Sequence, residues 1–309
     1  MCLFVLYEPR KGKRPEKNGQ ANAVLHGWIV PATRASGRNR ENVPLQIDDV
    51  KALLLDMDGT VYLGPNPIDG APEFVKYLQD AGIPFLFLTN NPSQDAAYYR
   101  DKLARMNIRV ECSDILTAGA ATAAFLRDET PCRRPFVVGT PSFEQELLRA
   151  GMELGSDAPD VVVIAFDKTL TYAKLERACL LLSAGLPYIA TNPDRVCPTE
   201  YGYIPDCGAI AALIEAATGR TPRFIGKPEP DFARTALRAL GTDAAHTAMV
   251  GDRLYTDMAM AKRAGMGGVL VLSGESTAED VEQAPERPDF VFPSVREFQQ
   301  ALCDRNASQ

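Results

Sequence analysis

With 309 residues and 46% hydrophobic content, the chain has apolar material for a buried core and for more than one domain. A formal net charge of −7 argues against a nucleic-acid polymer as partner, because phosphates are met by an excess of Lys and Arg. No apolar run reaches the roughly 20 residues a bilayer-spanning helix needs, so no membrane association is expected.

The first 46 residues differ from the rest. Arg10, Lys11, Lys13, Arg14, Lys17, Arg34, Arg38 and Arg40 are spaced by Gly and Asn. The short apolar opening precedes these basic residues, the reverse of a secretory signal. Residues 1–46 read as a flexible basic extension: a solvated tail, a targeting arm, or sequence upstream of a later start.

Regular patterning begins at Val50. Ala52-Leu53-Leu54-Leu55 is a continuous apolar run, as in a strand buried on both faces. A helix is predicted over 72–81, a strand over 85–88 and a helix over 94–106. Further strands are predicted at 136–138, 161–164, 188–190, 247–250 and 268–272. The alternation of strand and helix predicts an α/β fold with a doubly wound parallel sheet. Several strands end at a polar residue (Asp56, Thr89, Thr191, Asp252), and in such sheets ligands bind beyond the carboxyl ends of the strands. Nucleotide-binding loops of the Gly-x-Gly-x-x-Gly or Gly-Lys-Ser/Thr type are absent from the sequence.

The residue inventory narrows the chemistry. With two histidines, His26 and His246, a histidine-rich metal site or a Ser-His-Asp triad has little to draw on. Seven cysteines without a Cys-x-x-Cys pair suit neither a zinc site nor a disulfide framework, so a cytoplasmic location is expected. If the chain is an enzyme, carboxylates and a metal ion must carry most of its chemistry.

Asp56-Met57-Asp58-Gly59-Thr60 places two carboxylates at the tip of the first strand. They make a hard oxygen site suited to Mg²⁺; equally, an Asp-Gly turn there could simply cap a helix. Thr89 and the backbone N–H of Asn90 can donate to a phosphoryl oxygen, or merely end a strand. Lys227, after Ile225-Gly226, could neutralise a phosphoryl group, although a single lysine is ordinarily a solvated charge. Asp252 could complete a metal site, and Asp257 could serve it or a helix dipole.

In order and context, these four elements resemble the motifs of the haloacid dehalogenase superfamily in its phosphatase form. The resemblance covers residues 50 to about 300. It implies Asp56 as nucleophile, Asp58 as general acid and then base, Thr89 and Asn90 as phosphate-binding groups, and Lys227 as the stabilising cation. It further implies Mg²⁺ held by the Asp56 and Asp252 side chains and the Asp58 backbone carbonyl, with Asp257 behind them. From Thr89 to Lys227 the chain has room for more than the sheet requires. The surplus is expected to form an inserted α/β cap domain at 131–221, with the core domain at 47–130 and 222–309. This placement resembles subfamily IIA, the NagD-like and p-nitrophenylphosphatase-like proteins. There, Asn192 and Asp194 of Asn192-Pro193-Asp194 become candidate specificity residues, or an ordinary turn.

The expected function is hydrolysis of small phosphorylated metabolites through an aspartyl-phosphate, with pairing of chains through the cap as a further expectation. A phosphotransferase or phosphomutase of the same superfamily is one alternative, although phosphomutases usually carry the cap between the first two motifs, where there is no room. A dehalogenase has no use for Asp58. A non-catalytic phosphate- or Mg²⁺-binding module is the alternative from another class.

Overall fold

Ala52–Asp56 forms strand β1, buried along its whole length, at the centre of the larger of two parallel sheets. The computed structural model describes residues 46–199, 202–285 and 287–307. Apart from Gln46, the expected N-terminal extension lies outside these.

After β1 come a short hairpin of β2 (Tyr62–Leu63) and β3 (Asn66–Pro67), then α1 (Ala71–Asp80), β4 (Phe85–Thr89), α2 (Ala96–Arg105), β5 (Ile115–Thr117) and α3 (Ala118–Glu129). The next run is β6 (Pro135–Val138), α4 (Pro141–Arg149), β7 (Val161–Ile164), α5 (Tyr172–Ser183) and β8 (Tyr188–Ala190). It continues with the hairpin β9 (Val196–Thr199) and β10 (Gly202–Pro205), α6 (Cys207–Thr218) and β11 (Arg223–Phe224). The third run is α7 (Pro230–Leu240), β12 (Thr247–Gly251), α8 (Ala259–Ala264), β13 (Gly267–Val271), α9 (Ala278–Gln283), β14 (Phe290–Phe292) and α10 (Val295–Ala307).

The larger sheet has the order β14-β13-β12-β1-β4-β5, all parallel. The chain steps from β1 outward to β4 and β5, then returns to β12 beside β1 and steps the other way. That reversal opens a crevice beyond the carboxyl ends of β1, β4 and β12. Successive residues of β1 face opposite sides. Leu53 and Leu55 pack with Phe74 of α1, Leu103 of α2 and Phe298 of α10. Leu54 packs with Phe125 of α3 and Phe232 of α7. Both faces are apolar, which is why the strand reads as a continuous hydrophobic run.

The smaller sheet has the order β11-β8-β7-β6, also parallel. Val162 and Ile164 face α5 and α6. Val161 and Val163 join Phe143 and Leu147 of α4 in the same buried cluster as Leu54. A continuous apolar layer therefore joins the two sheets. β11 lies past the expected domain boundary at 221 and hydrogen-bonds to β8, so the second sheet carries the chain directly to Lys227. Among the described residues, no helix is long and apolar enough to cross a membrane.

Candidate active site

The register of the larger sheet fixes the site. Leu55 lies level with Val250, and Asp56 with Leu88, so Asp56, Thr89 and Asp252 emerge together at one edge. Lys227 reaches them from the other sheet. Ile225 N donates to Ala190 O at 3.1 Å and Gly226 N to Thr191 O at 2.7 Å, extending the pairing beyond β11. The Asn90 carboxamide then grips the lysine backbone: Oδ1 accepts from Lys227 N at 2.8 Å and Nδ2 donates to Lys227 O at 2.9 Å.

Lys227 is 3% exposed, and its Nζ pairs with Asp56 Oδ1 and, at 2.9 Å, with Asp257 Oδ1. Burial alone would lower its pKa; Asp257 and Asp56 overcome this and hold it charged. Asp257 is fixed by a π-type turn, Leu254–Met258, which lets its Oδ2 accept from Arg253 N at 3.1 Å. Asp252 Oδ2 accepts from Glu275 N at 2.7 Å, while its Oδ1 is buried without a hydrogen-bond partner among the described residues. Two glycines make room for this carboxylate. A Cβ on Gly59, which has φ +91°, would lie 2.3 Å from Asp252 Oδ2, and one on Gly274 would lie 2.0 Å away.

Three carboxylates share this small volume. Ligand oxygens of Asp56, Asp252 and Asp257 lie within 4.8 Å of one another. Desolvation raises the pKa of Asp56, with Lys227 opposing it and Asp257 and Asp252 adding to it. Desolvation likewise raises that of Asp252, reinforced by Asp257. A hard divalent cation relieves both the mutual repulsion and the unpartnered Asp252 oxygen, and an all-oxygen donor set is the kind Mg²⁺ takes. The residues present fit such an ion.

Asp58 stands apart from this cluster, open to solvent at the mouth of the crevice. Its surroundings still desolvate it and raise its pKa, while the charges of Lys102 and Arg253 pull the other way. Thr89 is buried, and its Oγ1 accepts from Asn91 N at 3.1 Å, fixing the turn at the end of β4. Thr89 and Asn90 both line the pocket with Asp56, Asp58 and Lys227. The two residues from the second sheet part company. Asn192 is fully buried: its Nδ2 donates to Asn90 O at 2.8 Å and its Oδ1 accepts from Asp194 N at 3.0 Å. It ties the two sheets together and does not line the pocket. Asp194 does line it, accepting from Asn90 Nδ2 at 3.0 Å.

The pocket encloses about 180 Å³ and includes residues that the motifs do not point to: Tyr62, Tyr98, Tyr99, Lys102, Lys168 and Arg253. A helical signal marks part of this set. Tyr98, Tyr99 and Lys102 stand at i, i+1 and i+4 on α2, so they share one side of that helix. Asp95 starts α2 by accepting from Tyr98 N at 3.1 Å, which sets where that side faces.

The family comparisons agree with this geometry. Residues 53–153 match the haloacid dehalogenase-like hydrolase model, and residues 224–298 match a second HAD-hydrolase-like model. The chain is similar to the acid sugar phosphatase of Staphylococcus aureus, 38% identical over 248 residues, covering 80% of this chain and 96% of that protein. Among solved structures it is similar to the 4-nitrophenylphosphatase of Thermotoga maritima, with 43% identity, a TM-score of 0.79, and coverage of 82% of this chain and 98% of that one. NagD from E. coli K-12 is 35% identical with a TM-score of 0.76, covering 80% of this chain and 98% of its own. With its sheet order, its inserted second sheet and its strand-end carboxylates, the chain belongs to the haloacid dehalogenase-like hydrolases, in their NagD-like phosphatase branch.

Proposed function

We propose that this chain is a Mg²⁺-dependent phosphatase of small phosphomonoesters that works through an aspartyl-phosphate on Asp56, with residues 131–221 forming the greater part of a cap over the site. One observation carries this reading: Lys227 is held between Asp56 and Asp257 next to Asp252, while Asp58 faces the same pocket outside that cluster. Such a division suits one carboxylate as nucleophile and another as proton carrier. The names of the relatives, an acid sugar phosphatase and a 4-nitrophenylphosphatase, support the reaction class.

The Asp56 and Asp252 side chains and the Asp58 backbone carbonyl would hold Mg²⁺, with Asp257 beside them, and the ion would supply positive charge against the phosphoryl oxygens and the clustered carboxylates. The chain's own groups divide the remaining work. Lys227 offsets charge at the reacting centre, and Thr89 and Asn90 orient the phosphoryl group. An Asp56 carboxylate oxygen bonds to phosphorus as the ester P–O bond breaks, and Asp58 gives its proton to the departing oxygen. Asp58 then takes a proton from the water that attacks the same phosphorus, and phosphate leaves Asp56. Burial, which raises the Asp58 pKa, favours the protonated form needed at the start.

A pocket of about 180 Å³ lies below the ~300 Å³ lower end of drug-sized ligand sites, which supports small substrates. Phosphate release from phenyl phosphate with Mg²⁺ tests the whole reading. Asp56→Asn should abolish it, and near-wild-type turnover in a pure preparation would refute the assignment. Acid-quenched wild-type protein should carry labile phosphate during turnover. Transfer of phosphate to an alcohol in place of water would indicate the phosphotransferase alternative, and stable phosphorylation without release would indicate a binding module.

A further inference from the structure

Lys102 is a half-buried ammonium group for which no carboxylate comes within 4.0 Å among the described residues. It rises from α2 into the pocket, and its Nζ lies 3.6 Å from the centre of the Tyr62 ring. The aromatic face stabilises the charge but does not neutralise it. The same pocket is lined from the second sheet by Lys168, in the loop after β7, whose Nζ lies 5.5 Å from the Phe166 ring centre. No ion pair neutralises Lys168 either among the described residues. Neither lysine is needed for the phosphoryl group, which Lys227 already serves at the floor of the site.

An ammonium that has lost part of its hydration and gained no counter-ion is a costly arrangement, relieved when a ligand brings an anion. The acidic residues of the pocket are otherwise engaged. Asp194 accepts from Asn90, and Asp206 caps α6 by accepting from Cys207 N. Asp58 acts electrostatically on Lys102 but forms no ion pair with it within 4.0 Å.

We propose that Lys102, joined by Lys168, recognises a second anionic group, a carboxylate or a phosphate, on the leaving group of the phosphomonoester. The proposal rests on the phosphatase reading above. Substrates of this class carry one phosphoryl group to the Asp56 end of the pocket and a second charge toward α2. A neutral alcohol or simple phenol leaves Lys102 unsatisfied.

Three aryl esters test it on the full chain with Mg²⁺: phenyl phosphate, 4-carboxyphenyl phosphate and 1,4-phenylene bisphosphate. Wild-type protein should favour at least one charged ester over phenyl phosphate in kcat/KM by about tenfold or more, the scale of one charge-assisted hydrogen bond. The preferred ester identifies the anion. In Lys102→Met that preference should fall by about tenfold, mainly through KM, and Lys102→Arg should restore most of it. Lys168→Met should lower it less, since that side chain is exposed. If wild type hydrolyses phenyl phosphate but shows no preference, or keeps it in Lys102→Met, this inference is overturned and the phosphatase reading stands. If wild type releases phosphate from none of the three esters, both fall.

Discussion

Glu146 should make this protein lose stability as pH rises from about 4.5 to about 7, and Glu146→Gln should remove that loss. The residue lies on α4, against α3, with 8% of its surface exposed. Its Oε1 accepts from Thr117 Oγ1 at 2.9 Å, while its Oε2 is buried without a hydrogen-bond partner among the described residues. Desolvation therefore raises its pKa from 4.5 to about 7, against the Thr117 hydrogen bond. Between those two values the folded protein keeps a proton that the unfolded chain has released. The folded state then binds more protons, so the unfolding free energy falls with pH across this window. At about 1.4 kcal/mol per pH unit, the loss is on the order of 3 kcal/mol, complete above about pH 7. For a chain of this size it corresponds to a melting shift of roughly 5 °C. Glutamine keeps an acceptor for Thr117 and cannot ionise. Urea unfolding of both proteins at pH 5 and pH 8 reads the difference. Relative to wild type, the variant should gain on the order of 3 kcal/mol between the two pH values, whatever its offset at pH 5. Parallel pH profiles for the two proteins would refute the reasoning.

Other substitutions probe the site by different routes. Gly274→Ala places a methyl group against Asp252 Oδ2 and should raise the Mg²⁺ concentration for half-maximal activity by about tenfold or more, read by metal titration of phosphate release. An unchanged metal requirement would remove Asp252 from the metal site. Asn90→Ala strips the buried backbone of Lys227 of both a donor and an acceptor. It should cost about 2–4 kcal/mol in denaturant unfolding, and a loss below 1 kcal/mol would show that the Asn90 clamp is dispensable.

Much of the fold could be read from local pattern. Ala52-Leu53-Leu54-Leu55 and Val161-Val162-Val163-Ile164 read as buried strands because both faces of their sheets are covered, so the apolar run has no polar interruption. Short strands such as β11, with two residues, gave no such signal. Their pairing depends on a neighbour already in place, as β11 depends on β8. Asn192 marks another limit. Its Asn-Pro-Asp context could belong to a specificity loop or a turn, and only packing shows its amide spent inside the protein on Asn90 and Asp194.

The sequence by itself determined the order of chemical groups: carboxylates after the first strand, a hydroxyl after the second long strand, a lysine late in the chain and an acidic pair beyond it. Those positions follow from strand ends, and strand ends are written in local hydrophobicity. Tertiary structure decided which groups share charge. Lys227 meets Asp257 as well as Asp56, Asp58 stands outside the carboxylate cluster, and Lys102 enters the pocket with no carboxylate within 4.0 Å among the described residues. Distances between residues far apart in the chain are set by how the two sheets pack, and electrostatic energy depends on those distances and on burial, neither of which a linear pattern contains.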